Sequence, residues 1–203
     1  MRSRAAASML KTAGFPSVAS MAGGIKAWQG LVSAGLPEAG MAFFDAAADP
    51  GELIALAWLL EDGSARFYAA VAGMQSAPEA AGLFTSLVKD EEHHKDTLQA
   101  LYSSVTSKEA GPDFPKGLTA ALDGDDRMEG SMKLSEALAW ARGKGIRDLL
   151  ELSMALETDS YDLYIKLGRT ASGEHARQVF TQLVAVEKDH LARMADLLDH
   201  IPL

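Results

Sequence analysis

The sequence contains no cysteine among its 203 residues. This absence excludes disulfide bonds, thiolate-bound zinc, rubredoxin-type iron sites and thiol nucleophiles. Long apolar runs are also missing, since none approaches the roughly 18–20 residues that a membrane-spanning helix requires. The basic start of the chain does not predict a signal peptide, because Ser8 and Lys11 interrupt its short apolar part. We therefore expect a cytoplasmic protein with no membrane segment.

Positive charge is scarce over most of the chain. The formal net charge is −9 at pH 7, although residues 1–40 contain four basic side chains and one acidic one. Binding to phosphate groups requires clustered Lys and Arg, so the acidic remainder argues against a nucleic-acid partner. The Val, Ile and Thr alternation of strands is rare, whereas Ala and Leu, which favour helix, are abundant.

Glycine, proline and capping residues divide the chain into two predicted parts, 1–40 and 41–203. The first part has the pattern of a helix, a short strand and a second helix, which is a small α/β segment. The second part predicts helices throughout, with Asp49 and Ser172 as N-caps. The predicted long helices and one short helix cover residues 50–73, 78–103, 135–143, 146–167 and 172–200.

The lengths of the links between these helices predict how they are connected. Short links join the first and second long helices and the third and fourth, whereas the Gly- and Pro-rich residues 104–132 form a long connection. One long connection between two helix pairs is the connectivity of ferritin-like bundles. The predicted fold class is therefore all-α, a ferritin-like four-helix bundle with one long crossover.

An internal repeat relates the two helix pairs. Shifting the sequence by 96 residues superimposes the segment that contains Glu61, Ser64 and Tyr68 on the segment that contains Glu157, Ser160 and Tyr164. The same shift superimposes Glu91-x-x-His94 on Glu187-x-x-His190 without a gap. The two helix pairs are therefore expected to pack about a pseudo-two-fold axis.

The repeated polar residues predict a metal site. Residues three apart on a helix point the same way, so each Glu and His of a Glu-x-x-His motif can act together. Glu61 and Glu157 lie within apolar stretches and should face the core, where an unpaired carboxylate is costly. Two Glu and two Glu-x-x-His motifs on four helices form the ligand set of di-iron carboxylate proteins. The predicted metal ligands are Glu61, Glu91, His94, Glu157, Glu187 and His190.

The competing interpretation is a solvated helix face, since a single Glu-x-x-His motif is common. Two such motifs at one repeat offset, each 30 residues after a core-facing Glu, favour the metal site instead. The mixed carboxylate and imidazole ligands suit iron or manganese, with zinc as another occupant.

Three further side chains are candidates for supporting roles. Tyr68 and Tyr164 each follow a predicted ligand Glu by seven residues, on the same helix face. They either donate a proton or hydrogen bond to the site or serve as core tyrosines. Asp90 is predicted to hold a ligand His through its second nitrogen, on one side of the site only, because its repeat partner is Val186.

Residues 41–203 resemble the rubrerythrin branch of the ferritin-like superfamily. The resemblance rests on the order and spacing of Glu61-x6-Tyr68, Glu91-x-x-His94, Glu157-x6-Tyr164 and Glu187-x-x-His190. It implies two iron ions and an oxidoreductase that reduces hydrogen peroxide, or that oxidises ferrous iron with dioxygen. It also implies a homodimer and an external electron donor such as rubredoxin, since this chain lacks the cysteines of a rubredoxin domain.

One departure from the rubrerythrin pattern leaves the activity open. Rubrerythrins usually have an extra ligand Glu one turn after the third-helix Glu, and the matching residue here is Ser160. The six-ligand set is then closer to that of bacterioferritin. Iron binding or ferroxidase chemistry without peroxidase turnover, and a metal-stabilised structural module, are the alternative functions.

Residues 1–40 resemble the C-terminal segment of a rhodanese domain. The resemblance rests on MRSRAAASMLKTAGF followed by SVASMAGGIKAWQGLVSAGLP, with Arg2-Ser3 as the end of the catalytic loop. The catalytic cysteine of that family is absent, so no sulfurtransferase activity is expected. We expect this segment to be either part of a longer rhodanese–rubrerythrin fusion or a packing element on the bundle or on a second chain.

Overall fold

The computed structural model describes residues 49–118, 126–171 and 173–201. Within these ranges the chain forms five α-helices, numbered here as α1 Pro50–Met74, α2 Pro78–Thr106, α3 Leu134–Ala141, α4 Ile146–Thr170 and α5 Glu174–His200. A turn of 3-10 helix, Glu129–Ser131, precedes α3, and these residues include no strand beyond an isolated bridge. The all-α prediction is confirmed for this part of the chain. The predicted rhodanese-like segment lies outside the described residues.

Local sequence predicts the start of α1 correctly but not that of α5. Asp49 caps α1 as predicted, because its Oδ1 accepts the backbone N–H of Gly51 at 2.8 Å and Pro50 begins the helix. At α5 the N-cap is Gly173 with a φ of +97°, so the prediction of Ser172 as the cap is wrong. Glycine adopts this positive φ without steric cost, and the chain enters α5 through it. Ser172 itself lies outside the described residues.

The long helices pack as two pairs. Helix α1 packs along α2 after the short link 75–77, and α4 packs along α5 after the link 171–173. Helices α2 and α5 contact each other, and α3 packs on α1. None of the described helices combines the length and apolarity that crossing a membrane requires.

Two apolar cores occupy opposite ends of the paired helices. Core 1 includes Leu56, Leu101, Leu163 and Leu183. Core 2 includes Phe67, Leu87, Leu152 and Met194. Along the chain, α1 and α5 pass from core 1 to core 2, whereas α2 and α4 pass in the opposite direction. Each long helix therefore crosses the layer between the two cores once, and its buried charged residues lie at that crossing.

Candidate metal centre

The six predicted ligands all lie in the layer between the two cores. Helix α1 contributes Glu61, α4 contributes Glu157, and α2 and α5 each contribute a Glu and a His one turn apart. Each side chain is at most 1% exposed; they are Glu61, Glu91, His94, Glu157, Glu187 and His190. The periodicity that placed these residues on the inner face therefore agrees with their burial. Their role as ligands stays a prediction.

Their side-chain atoms form two overlapping groups, each able to hold a metal ion. One group comprises Glu61, Glu91, His94 and Glu187. The other comprises Glu91, Glu157 and His190. Within each group the ligand atoms lie within 4.8 Å of one another, and Glu91 belongs to both. Glu187 also reaches both histidines, with Oε1 3.3 Å from His94 Nδ1 and Oε2 3.4 Å from His190 Nδ1. Glu91 and Glu187 therefore lie between the two groups.

Both histidines direct Nδ1 toward the carboxylates. His94 Nδ1 is 3.0 Å from Glu91 Oε2 and 3.3 Å from Glu61 Oε2. His190 Nδ1 is 2.8 Å from Glu157 Oε2. The two imidazole rings stack with their centroids 5.5 Å apart. One ring nitrogen from each half of the site is thus placed among the carboxylate oxygens.

The hydrogen bonding of these residues is incomplete. Both carboxylate oxygens of Glu91 and Glu187 are buried without a hydrogen-bond partner, as is Nε2 of each histidine. Buried polar atoms are nearly always hydrogen-bonded, because an unpaired one loses its hydration without compensation. Carboxylate oxygens that converge in an apolar layer fit a bound cation, since a cation supplies the missing partner and offsets the repulsion.

Burial and mutual repulsion perturb the acidity of the cluster. Burial, reinforced by neighbouring carboxylates, raises the pKa of Glu61, Glu91 and Glu187 well above the usual value. Burial acts on Glu157 in the same direction, but the neighbouring Glu187 and His190 side chains lower its pKa to about 2. These shifts favour the protonated form of three of the four glutamates when no cation is bound, so metal binding would compete with protons at the cluster.

Two tyrosines connect the helix pairs across the centre. Tyr68 on α1 donates a hydrogen bond to Glu157 Oε1 at 2.5 Å, and Tyr164 on α4 donates one to Glu61 Oε1. Each tyrosine therefore contacts the glutamate of the other repeat rather than that of its own helix. Burial and the nearby Glu157 raise the pKa of Tyr68 well above its usual value, so it stays a hydrogen-bond donor. A part for either tyrosine in proton delivery stays a prediction.

Asp90 lies on the outer side of His190. Its Oδ2 is 3.5 Å from His190 Nε2, but its closer partner is Arg193, whose Nη2 donates to the same oxygen at 2.6 Å. Arg193 also bonds to Ser86 Oγ at 3.0 Å and so joins α5 to α2. The sequence analysis did not identify Arg193. The predicted role of Asp90 in holding His190 stays a prediction.

One further acidic residue of the centre was missed from the sequence. Glu129, in the connection between α2 and α3, is 1% exposed, and it accepts a hydrogen bond from Ser160 Oγ. Its charge is close enough to raise the pKa of Glu61 and Glu187. Helical periodicity could not predict the position of a residue in a non-helical connection. The sequence signal for a buried polar partner near the ligands was the repeated pair of serines, Ser64 and Ser160.

Comparisons of the chain with protein-family models, with curated proteins and with solved structures found no significant match. The geometry by itself shows a helical protein with a buried Glu and His cluster that can hold a metal ion. Five other acidic and histidine side chains near the motifs or the helix ends are solvent-exposed: Glu92, His93, His175, Asp189 and His200.

Removing the hydroxyl of Tyr68 should destabilise the protein. In Tyr68→Phe, Glu157 Oε1 loses its donor inside the apolar layer, so the free energy of unfolding should fall by about 1–3 kcal/mol. Chemical denaturation followed by circular dichroism measures this change. Tyr161→Phe, on the partly exposed face of α4, is the matched control and should change stability by less than about 0.5 kcal/mol. Equal losses in the two variants would contradict the role given to the Tyr68 hydrogen bond.

Proposed function

We propose that this protein is a di-iron oxidoreductase of the ferritin-like type, similar to rubrerythrins, that reduces hydrogen peroxide or dioxygen. The observation that carries the proposal is the pair of overlapping buried ligand groups that share Glu91. A single structural ion would need one such group. Here two groups share one carboxylate, and their ligands come from four repeat-related helices. This arrangement fits a pair of metal ions.

The directions of the helices support the ferritin-like part of the proposal. Helices α1 and α5 pass from core 1 to core 2, and α2 and α4 pass the other way. Consecutive long helices thus reverse direction within each pair, and α2 and α4 share a direction across the long connection. This order is the one that a single crossover between two helix hairpins produces.

The positions of the ligands suggest how a metal pair would be shared. Glu91 and Glu187 lie between the two groups and would help to hold both ions. His94 and Glu61 would hold one ion, and His190 and Glu157 the other. Carboxylate with imidazole is a ligand set for iron or manganese, and zinc can also occupy it.

The chemistry follows from what the chain holds around that pair. Two bound irons would supply the two electrons that reduce hydrogen peroxide to water. The hydroxyl groups of Tyr68 and Tyr164 place protons next to Glu157 and Glu61, respectively. Cores 1 and 2 exclude bulk water from both sides. These 203 residues contain no cysteine for a rubredoxin-type iron, so the electrons would come from a donor outside them, such as rubredoxin.

A second candidate function is iron loading with dioxygen and no peroxidase turnover. It is favoured by Ser160, which stands where rubrerythrins usually have an extra ligand Glu. The two candidates share the metal pair and differ in whether the protein turns over with hydrogen peroxide.

The test of the proposed function is metal content followed by oxidant reactivity. The protein, purified without chelators and reconstituted anaerobically with ferrous iron, should hold about two irons per chain by elemental analysis. Peroxide and dioxygen are then added separately, and the near-ultraviolet and visible absorption is followed. A fast response to peroxide supports the peroxidase, and a response to dioxygen alone supports ferroxidase chemistry. Fewer than one iron per chain would overturn the proposal, and two ions without any redox response would leave a metal-stabilised structural module.

A further inference from the structure

Glu129 is a buried acidic residue outside the four long helices, and its charge acts on Glu61 and Glu187 of the candidate metal centre. It begins the 3-10 turn Glu129–Ser131 in the connection between α2 and α3. Its side chain is 1% exposed, and its Oε2 is buried without a hydrogen-bond partner. A carboxylate from a connecting segment seldom enters a protein core, because its desolvation is costly. Its Oε2 therefore lacks the partner that a buried carboxylate oxygen needs.

The sequence of α1 allows the connection to come this close. A Cβ added at Gly63 would lie 2.1 Å from the carbonyl oxygen of Arg127 and 2.7 Å from Cα of Met128. Only glycine therefore lets the backbone of 127–128 lie directly on the helix. The buried Met128 side chain anchors the segment in core 2. Gly130, with a φ of +65°, then turns the chain immediately after Glu129.

Two repeat-related serines hold Glu129 in place. Ser160 Oγ donates a hydrogen bond to Glu129 Oε1, and the backbone N–H of Glu129 donates to Ser64 Oγ at 3.4 Å. Ser64 and Ser160 are buried and lie one helical turn after Glu61 and Glu157. They are equivalent positions of the 96-residue repeat. Glu129 is thus held by one serine from each half of the repeat, each one helical turn from a candidate ligand Glu.

We propose that Glu129 is a further carboxylate ligand of the metal centre, supplied by the connection between the helix pairs through its unpartnered Oε2. This inference rests on the proposed function, since it needs a metal pair. In the structure Ser160 holds Oε1, which leaves Oε2 as the oxygen available to a cation. Glu129 would then be a ligand that the repeat does not duplicate, so the two metal positions would differ.

Glu129→Gln tests the inference with cobalt(II) as the probe. Gln keeps the size of the side chain and its acceptor for Ser160 but removes the negative charge. The metal-free proteins are titrated with cobalt(II), and both the visible absorption spectrum and the rise in melting temperature are recorded. We expect the variant to bind cobalt about 10–100-fold more weakly, with an altered spectrum, while the metal-free variant melts no lower than the wild type. Glu136→Gln, an exposed position on α3, is the matched control and should behave as the wild type.

The alternative outcomes separate this inference from the proposed function. If Glu129→Gln binds cobalt with the affinity and spectrum of the wild type, Glu129 is no ligand and the inference is overturned, whereas the metal centre stands. Equal losses of melting temperature with and without cobalt would assign Glu129 a packing role and also overturn the inference. Wild-type protein that binds no cobalt or iron would overturn the metal centre itself. If the Gln variant does not fold, Glu129→Asp serves instead, because it keeps the charge, shortens the reach and should weaken cobalt binding.

Discussion

Glu91→Gln is expected to abolish the binding of a metal pair without destabilising the metal-free protein. Glu91 belongs to both ligand groups, so its loss removes an oxygen from each ion. Affinity should fall by at least about 100-fold, since even the indirect partners of a metal site contribute 10–100-fold. In the metal-free protein Glu91 is buried, the nearest side-chain nitrogen is His94 Nδ1 at 3.0 Å from Oε2, and burial raises the pKa of Glu91. Replacing it by a neutral side chain should therefore leave the free energy of unfolding unchanged or raise it by about 1 kcal/mol.

The neighbouring residue offers the control for this experiment. Glu92 is exposed and pairs with Lys95 at 3.0 Å, so Glu92→Gln should retain the metals and change stability by less than about 1 kcal/mol. Metal content is measured by elemental analysis after anaerobic iron loading, and stability by denaturation with and without a chelator. A Glu91→Gln variant that still holds two ions at wild-type affinity would contradict the assignment of Glu91 to both ligand groups. A large loss of stability in its metal-free form would contradict the electrostatic account of the cluster.

Gly63→Ala is expected to destabilise the protein strongly although it adds a single methyl group. The new Cβ would meet backbone atoms of Arg127 and Met128 at 2.1 and 2.7 Å, distances at which one of the two segments must move. Backbone cannot yield as the end of a flexible side chain does, and Met128 ties the segment to core 2. The free energy of unfolding should fall by about 2–3 kcal/mol.

Gly73→Ala is the matched control because it lies on the same helix with no atom within 4 Å of an added Cβ. There the higher helix propensity of alanine should raise stability by about 0.5–1 kcal/mol. The two substitutions are chemically identical. Opposite changes in the free energy of unfolding would therefore be attributed to the contact of Gly63 with residues 127–128. If both variants were stabilised, the close contact of residues 127–128 with α1 would be contradicted.

Local sequence was sufficient to predict the helices and the inner helix faces that carry the candidate ligands. A helix places every third or fourth residue on one face, so the apolar spacing around Glu61 and Glu157 predicted which side is buried. The repeat then distinguished Glu91 and His94 from exposed neighbours such as Glu92. Asp49 and Pro50 marked the start of α1 because capping depends on adjacent residues only. These features are local, and the sequence by itself determined them.

Contacts between distant segments were decided by the tertiary structure alone. Tyr68 bonds to the glutamate of the other repeat because α1 and α4 face each other across the centre, a fact that no spacing within one helix records. The position of Glu129 depends on Gly63 and on the serines of two helices, which together admit a non-helical segment whose side-chain directions have no period. The partnership of Asp90 with Arg193 likewise joins α2 to α5. Periodicity therefore identified the residues that each helix directs inward, and packing determined which of them meet and which residue enters between them.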